Sequence, residues 1–178
     1  MDMIKGWAKQ QFSDLDVSRL TWLWLAVLTI ILDFATKQMA LNYLEYGQSV
    51  YVLPVFDLTL LYNPGAAFSF LAGAGGWQRW FFTIIAIGVS LALCVWLMKL
   101  KPHEKWLSAA LCLVIGGALG NLYDRLVYGH VIDFIHVHWD KNYFPAFNIA
   151  DSAITLGAIM LIVDSLFFSQ QNNRQSNE

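Results

Sequence analysis

Charge is what this chain has least of. Only 13% of its 178 residues are Asp, Glu, Lys or Arg, against roughly 25% in an average soluble domain. With 57% hydrophobic residues and a mean hydropathy of +0.49, that scarcity excludes an ordinary soluble globule and marks a membrane protein. A basic excess is also missing. Eleven Lys and Arg face thirteen Asp and Glu, a net charge of -2, so little is available to neutralise a phosphate backbone and no nucleic-acid partner is expected. Cysteine is sparse too: Cys94 and Cys112 sit inside apolar runs with no CxxC neighbour, which leaves no disulfide argument and reads as two buried thiols. HExxH, GxSxG and P-loop patterns are absent, so a zinc protease, a serine hydrolase and an ATP-driven machine lack their usual residues.

What the chain does have is four long apolar runs. The first, about residues 20–39, follows a mixed-charge start that imitates a signal peptide but lacks an A-x-A-like cleavage site, so it is read as retained. Runs at about 80–100, 106–123 and 149–168 complete a set of spans, each near the ~20 residues needed to cross ~30 Å of hydrocarbon. Between the first two, residues 42–65 carry β-branched and aromatic runs punctuated by Gly47, Pro54 and Asn63-Pro64-Gly65, the pattern of a strand-rich element outside the lipid. Ala66–Trp77, apolar and glycine-rich, suggests a lid. Residues 125–148 read as a polar-aromatic loop, and 169–178 as a polar tail.

Four spans return the chain to the side it left. Lys5, Lys9, Arg19, Lys99, Lys101, Lys105 and Arg174 share that side, against Lys37, Arg79, Arg125 and Lys141 on the other, so the positive-inside rule predicts cytoplasmic termini. Asp33, Asp124 and Asp151 then fall at the opposite interface. Asp33 and Lys37 are spaced i,i+4 on one helix face. Asp124, at the exit of the third span, and Asp151, at the entry of the fourth, have similar depth, and the reading predicts that they meet. Two carboxylates brought close cannot both ionise easily, which splits them into an acid and a base, as in aspartic proteases. The blander reading makes them unrelated interfacial residues, one an N-cap and one paired with Arg125. Asn63, Asn121 and Asn148 accompany these motifs and could orient a peptide or the aspartates; as turn and cap residues they need no function. His130, His136 and His138 lie near Asp133 and Asp140, but no convergent set of metal ligands is evident, and no metal or other cofactor is expected.

Five ordered motifs resemble the bacterial lipoprotein signal peptidases, the signal peptidase II family of membrane aspartyl proteases. They are Asp33-Phe-Ala-Thr-Lys37, Asn63-Pro-Gly-Ala-Ala-Phe68, Gly116-Gly-Ala-Leu-Gly-Asn-Leu-Tyr-Asp124-Arg125, Val131-Ile-Asp-Phe134 and Phe147-Asn-Ile-Ala-Asp151. The resemblance implies Asp124 and Asp151 as the catalytic pair. It implies that Asp33, Lys37, Asn63, Gly65, Asn121, Arg125, Asp133 and Asn148 support the fold, the dyad or the substrate. The implied fold is a mainly α membrane domain, four transmembrane helices with a small extracytoplasmic β-sheet cradle and both termini cytoplasmic. The implied substrate is a diacylglyceryl-modified prolipoprotein cut just before its lipidated cysteine, at the outer face of the bacterial inner membrane. Membrane lipids are the other expected partners, and a monomer is expected. A small transporter whose carboxylates carry protons, or a structural scaffold subunit, remain the competing classes.

Overall fold

The computed structural model describes residues 15–65 and 76–168. The proposed lid at 66–75, most of the N-terminal extension and the polar tail lie outside the described residues. After a 3-10 turn at Val17–Trp22 come α1 (Leu23–Tyr43), β1 (Ser49–Leu53), β2 (Phe56–Asn63), α2 (Trp77–Lys99), α3 (Lys105–Val127), β3 (Val131–Trp139), β4 (Asn142–Tyr143) and α4 (Ile149–Val163). A π-helical turn, Asp164–Phe168, continues α4. Among the described residues, four helical stretches are long and apolar enough to span a membrane.

The third span is the hub. In its most apolar stretch 61% of residues are buried, against 17–22% in the other three, and α1, α2 and α4 all pack on it. Small residues make this possible. A Cβ at Gly116 would stand 2.8 Å from the Ala26 carbonyl oxygen of α1, and one at Gly117 would lie 2.7 Å from Ile154 Cγ1 of α4. The helices therefore touch backbone to backbone, the packing that substitutes for hydrophobic driving force within lipid. The outward faces of α1, α2 and α4 carry exposed Trp24, Ile31, Ile84, Leu91, Ile159 and Ile162, which suit a hydrocarbon surround.

A four-stranded antiparallel sheet, in the order β1-β2-β3-β4, caps the end of the bundle where α1 and α3 finish and α4 begins. Its β3 and β4 come from the stretch read from sequence as a loop. The reason is burial: Val131, Ile132, Asp133 and Phe134 are all buried, so the alternation that flags a half-exposed strand is lost. Helix α3 also runs to Val127, four residues past its expected end, before Gly129 turns the chain at a φ of 83°. Ala40 of α1 packs with Leu60, Ile132 and Phe134 beneath the sheet. Cys94 and Cys112 are free thiols.

Candidate active site

Two short connections bring the polar residues together. Phe147 pairs with the backbone of β3, its N–H donating to the Ile135 carbonyl at 3.0 Å and its oxygen accepting from Phe134 and Ile135. The next residue, Asn148, therefore arrives beside Asp133. Asn148 also caps α4, its Oδ1 accepting the Asp151 N–H at 2.9 Å, a role that suits Asn because its side-chain oxygen satisfies a first-turn N–H that has no acceptor within the helix. Its Nδ2 donates to Asp133 Oδ1 at 2.8 Å. One fully buried amide thus joins Asp133 to the backbone of Asp151.

Each carboxyl of this pair has further support. Asp133 Oδ2 accepts from Asn63 Nδ2 at 3.1 Å, and Asp151 Oδ1 accepts from Asn121 Nδ2 at 2.7 Å. Burial, followed by repulsion from the Asp151 carboxylate, pushes Asp133 up to about 7. Gly65 closes the β2 end with a left-handed φ of 106°, and its N–H donates to Asn63 Oδ1 at 2.9 Å. Any Cβ there would come within 2.9 Å of the Phe82 ring, so glycine is required on both counts.

Asp124 lies elsewhere. Its Oδ2 pairs with Lys37 Nζ at 2.7 Å and accepts the Ile132 N–H at 3.1 Å. Lys37 also binds Asp33 Oδ2 at 2.7 Å and Asn121 Oδ1 at 3.1 Å, and Asp33 Oδ1 accepts the Ala150 N–H of α4 at 2.9 Å. Lys37, Asp33 and Asp124 are at most 2% exposed. The carboxyl expected to meet Asp151 is thus engaged by Lys37 and the Ile132 N–H, and it is Asp133 that feels the Asp151 charge. The physical reason is the course of the chain after Asp124: α3 continues, turns at Gly129, and returns as β3, and it is Asp133 on the returning strand that reaches the start of α4. Nor does the blander reading hold in detail, since Asn148 is the cap and Arg125 donates to the Asn121 carbonyl at 3.2 Å rather than to Asp124.

A cleft of about 660 Å³ opens beside Asp151. Asn63, Gly65, Arg125 and Asp151 line its polar end. Phe82 of α2, Phe144 to Phe147, and the α4 stripe Thr155, Leu156 and Ile159 form the rest. The Arg125 guanidinium stacks over Phe82, 5.4 Å from the ring centroid. Asp133 stands just behind Asn63. Sequence reasoning missed the apolar wall, although the i,i+4 spacing of Asp151, Thr155 and Ile159 on one face of the fourth span carries the signal. His136 and His138 flank the Tyr143 ring at 4.5 and 4.8 Å on the sheet. His130 stacks on Tyr62.

Four membrane-length helices among the described residues, with Asp151 lining a largely apolar cleft and Asp133 joined to it through Asn148, define an integral membrane protein. The chain belongs to the signal peptidase II family: the model described as Signal peptidase (SPase) II matches residues 25–167. A lipoprotein signal peptidase of Pseudomonas putida KT2440 is 59% identical over 148 residues, covering 82% of this chain and 86% of that protein. One from Pseudomonas aeruginosa PAO1 is 56% identical over 161 residues, covering 89% and 95%. A bacterial membrane enzyme solved by the in meso method at 2.3 Å superposes with a TM-score of 0.74 at 35% identity, covering 85% of this chain and 90% of that one.

Proposed function

We propose that this chain is an aspartic endopeptidase that removes the signal peptide from diacylglyceryl-modified prolipoproteins, with Asp133 and Asp151 as its acid–base pair. The membership just described supports the reaction. The observation that carries the choice of residues is the Asn148 bridge between Asp133 and Asp151 at the head of the cleft, together with the engagement of Asp124 by Lys37. Asp124 keeps a supporting role.

The chemistry follows from the two environments. Asp133, near half-protonated at neutral pH, supplies a proton to the scissile carbonyl oxygen. Asp151, which lines the cleft, accepts a proton from water as the water oxygen bonds to the carbonyl carbon. Collapse of the tetrahedral intermediate breaks the C–N bond: the proton held by Asp151 passes to the leaving nitrogen, and a hydroxyl proton of the intermediate returns to Asp133 as the new carboxyl group forms. Acid–base action of this kind supplies about 10²–10⁴ in rate. Arg125 supplies donors for a substrate carbonyl, and the stripe Thr155, Leu156 and Ile159 accepts apolar chain. The apolar lining from Phe82 of α2 and Leu156 and Ile159 of α4 suits a substrate that stays anchored by its acyl chains.

The seven-to-four division of basic residues supports cytoplasmic termini and a site at the outer face of the bacterial inner membrane. The test is incubation of purified protein with a diacylglyceryl-modified prolipoprotein in detergent, read by mass spectrometry. A product beginning at the lipidated cysteine is expected; equal cleavage of unlipidated precursor, or none of either, would remove this substrate assignment.

A further inference from the structure

Three asparagines stand against the paired carboxyl groups, and each amide is turned by a donor on its own oxygen. The Gly65 N–H occupies Asn63 Oδ1, leaving Asn63 Nδ2 for Asp133. The Asp151 N–H occupies Asn148 Oδ1, leaving Asn148 Nδ2 for Asp133. Both of those locks are backbone groups. The third is the Lys37 ammonium, 3.1 Å from Asn121 Oδ1, which leaves Asn121 Nδ2 to donate to Asp151 Oδ1 at 2.7 Å. An amide offers a donor on one arm and an acceptor on the other, so occupying the oxygen decides what the other arm presents.

Lys37 commits its two remaining N–H groups to Asp33 and Asp124, at 2.7 Å each. Three donors meet three acceptors on an ammonium that is 1% exposed. Two buried carboxylates behind a reaction site are costly unless they hold something in place; here they hold this ammonium. Asn148 Nδ2 also approaches Asn121 Oδ1, but at 3.2 Å and shared with the Ile132 carbonyl and with Asp133, a weaker hold than a full positive charge.

We infer that Lys37 is a positioning residue that turns the Asn121 amide, so that Asp151 Oδ1 always meets a donor and the carboxylate at the wall of the cleft is held in its ionised form. The inference rests on Asp151 acting as the base. With Lys37 gone, Asn121 can rotate and present its oxygen, which stabilises a protonated Asp151 that cannot accept a proton from water. The charged groups around this point are Asp33 and Lys37 on α1, Asp124 and Arg125 on α3, and Asp133 on β3. Loss of Lys37 therefore leaves Arg125 as the only cation in the set.

The experiment compares wild type, Lys37→Met, and the charge-neutral triple variant Asp33→Asn, Lys37→Met, Asp124→Asn in full pH–rate profiles of precursor cleavage. The triple variant carries the test where Lys37→Met alone, with two uncompensated carboxylates, does not fold. Both variants are expected to lose about ten- to a hundredfold in kcat, with KM within about twofold. The acid limb is expected to move up by about one pH unit. A folded triple variant with the wild-type kcat and acid limb overturns the inference, as does a loss that appears in KM with the limb unmoved. Activity surviving in Asp133→Asn or Asp151→Asn would instead overturn the reading of the site, whatever the Lys37 variants do.

Discussion

Asp133 carries the steepest electrostatic demand outside the spans. Its carboxyl is raised to about 7 by burial and by Asp151, so in the native state it holds its proton up to that pH, whereas the unfolded chain releases it near the ordinary value of about 4. Two consequences have opposite use. The acid role is present below about pH 7 and is lost above it, so kcat should fall about tenfold per pH unit on the alkaline side; a profile flat to pH 9 would contradict this assignment. Native stability should decline as pH rises from about 4 to 7, because the folded state binds the extra proton. At this scale the sequence is partly transparent. The i,i+4 pair of Asp33 and Lys37 is legible from spacing, and the structure joins them at 2.7 Å. The choice between Asp124 and Asp133 is not, because it depends on the direction of the chain after Gly129, and no local pattern records that two residues nine apart exchange places at the site.

Helix α3 shows what a single element contributes. Gly116 faces α1 and Gly117 faces α4, so the helix that bears Asn121, Asp124 and Arg125 is fixed between the helices that bear Lys37 and Asp151. A methyl group at Gly117 must displace the α4 backbone at Ala150, next to Asp151. Gly117→Ala should therefore cost about 1–3 kcal/mol of stability and lower activity beyond the loss of folded protein, as read by thermal unfolding in detergent and by specific activity. Unchanged values in both would mean the α3–α4 contact is looser than described. The four spans are legible because hydropathy over about twenty residues is a long-range average that tolerates local exceptions. Strand β3 is not, since residues buried on both faces present no alternation, and its polar second half, His136 to Trp139, resembles a loop.

Among the described residues, the whole molecule gathers its buried polar groups at one end of the bundle, beside a cleft lined in part by α2 and α4. The sheet, built from two distant parts of the chain, closes over that end, and its β2 and β3 deliver Asn63 and Asp133 to the start of α4. The membrane class, the four spans and the family motifs could all be read from the sequence; the cleft could not, because its lining comes from separate stretches around Asn63, Phe82, Arg125 and residues 144–159. The most direct test measures cleavage of a diacylglyceryl-modified prolipoprotein by wild type, Asp133→Asn, Asp151→Asn and Asp124→Asn at matched folded fraction. Asp133→Asn and Asp151→Asn are expected to be silent while binding substrate, and Asp124→Asn to retain measurable turnover with reduced stability. Turnover by Asp133→Asn alongside a silent but well-folded Asp124→Asn would contradict the account and return the pair to Asp124 and Asp151.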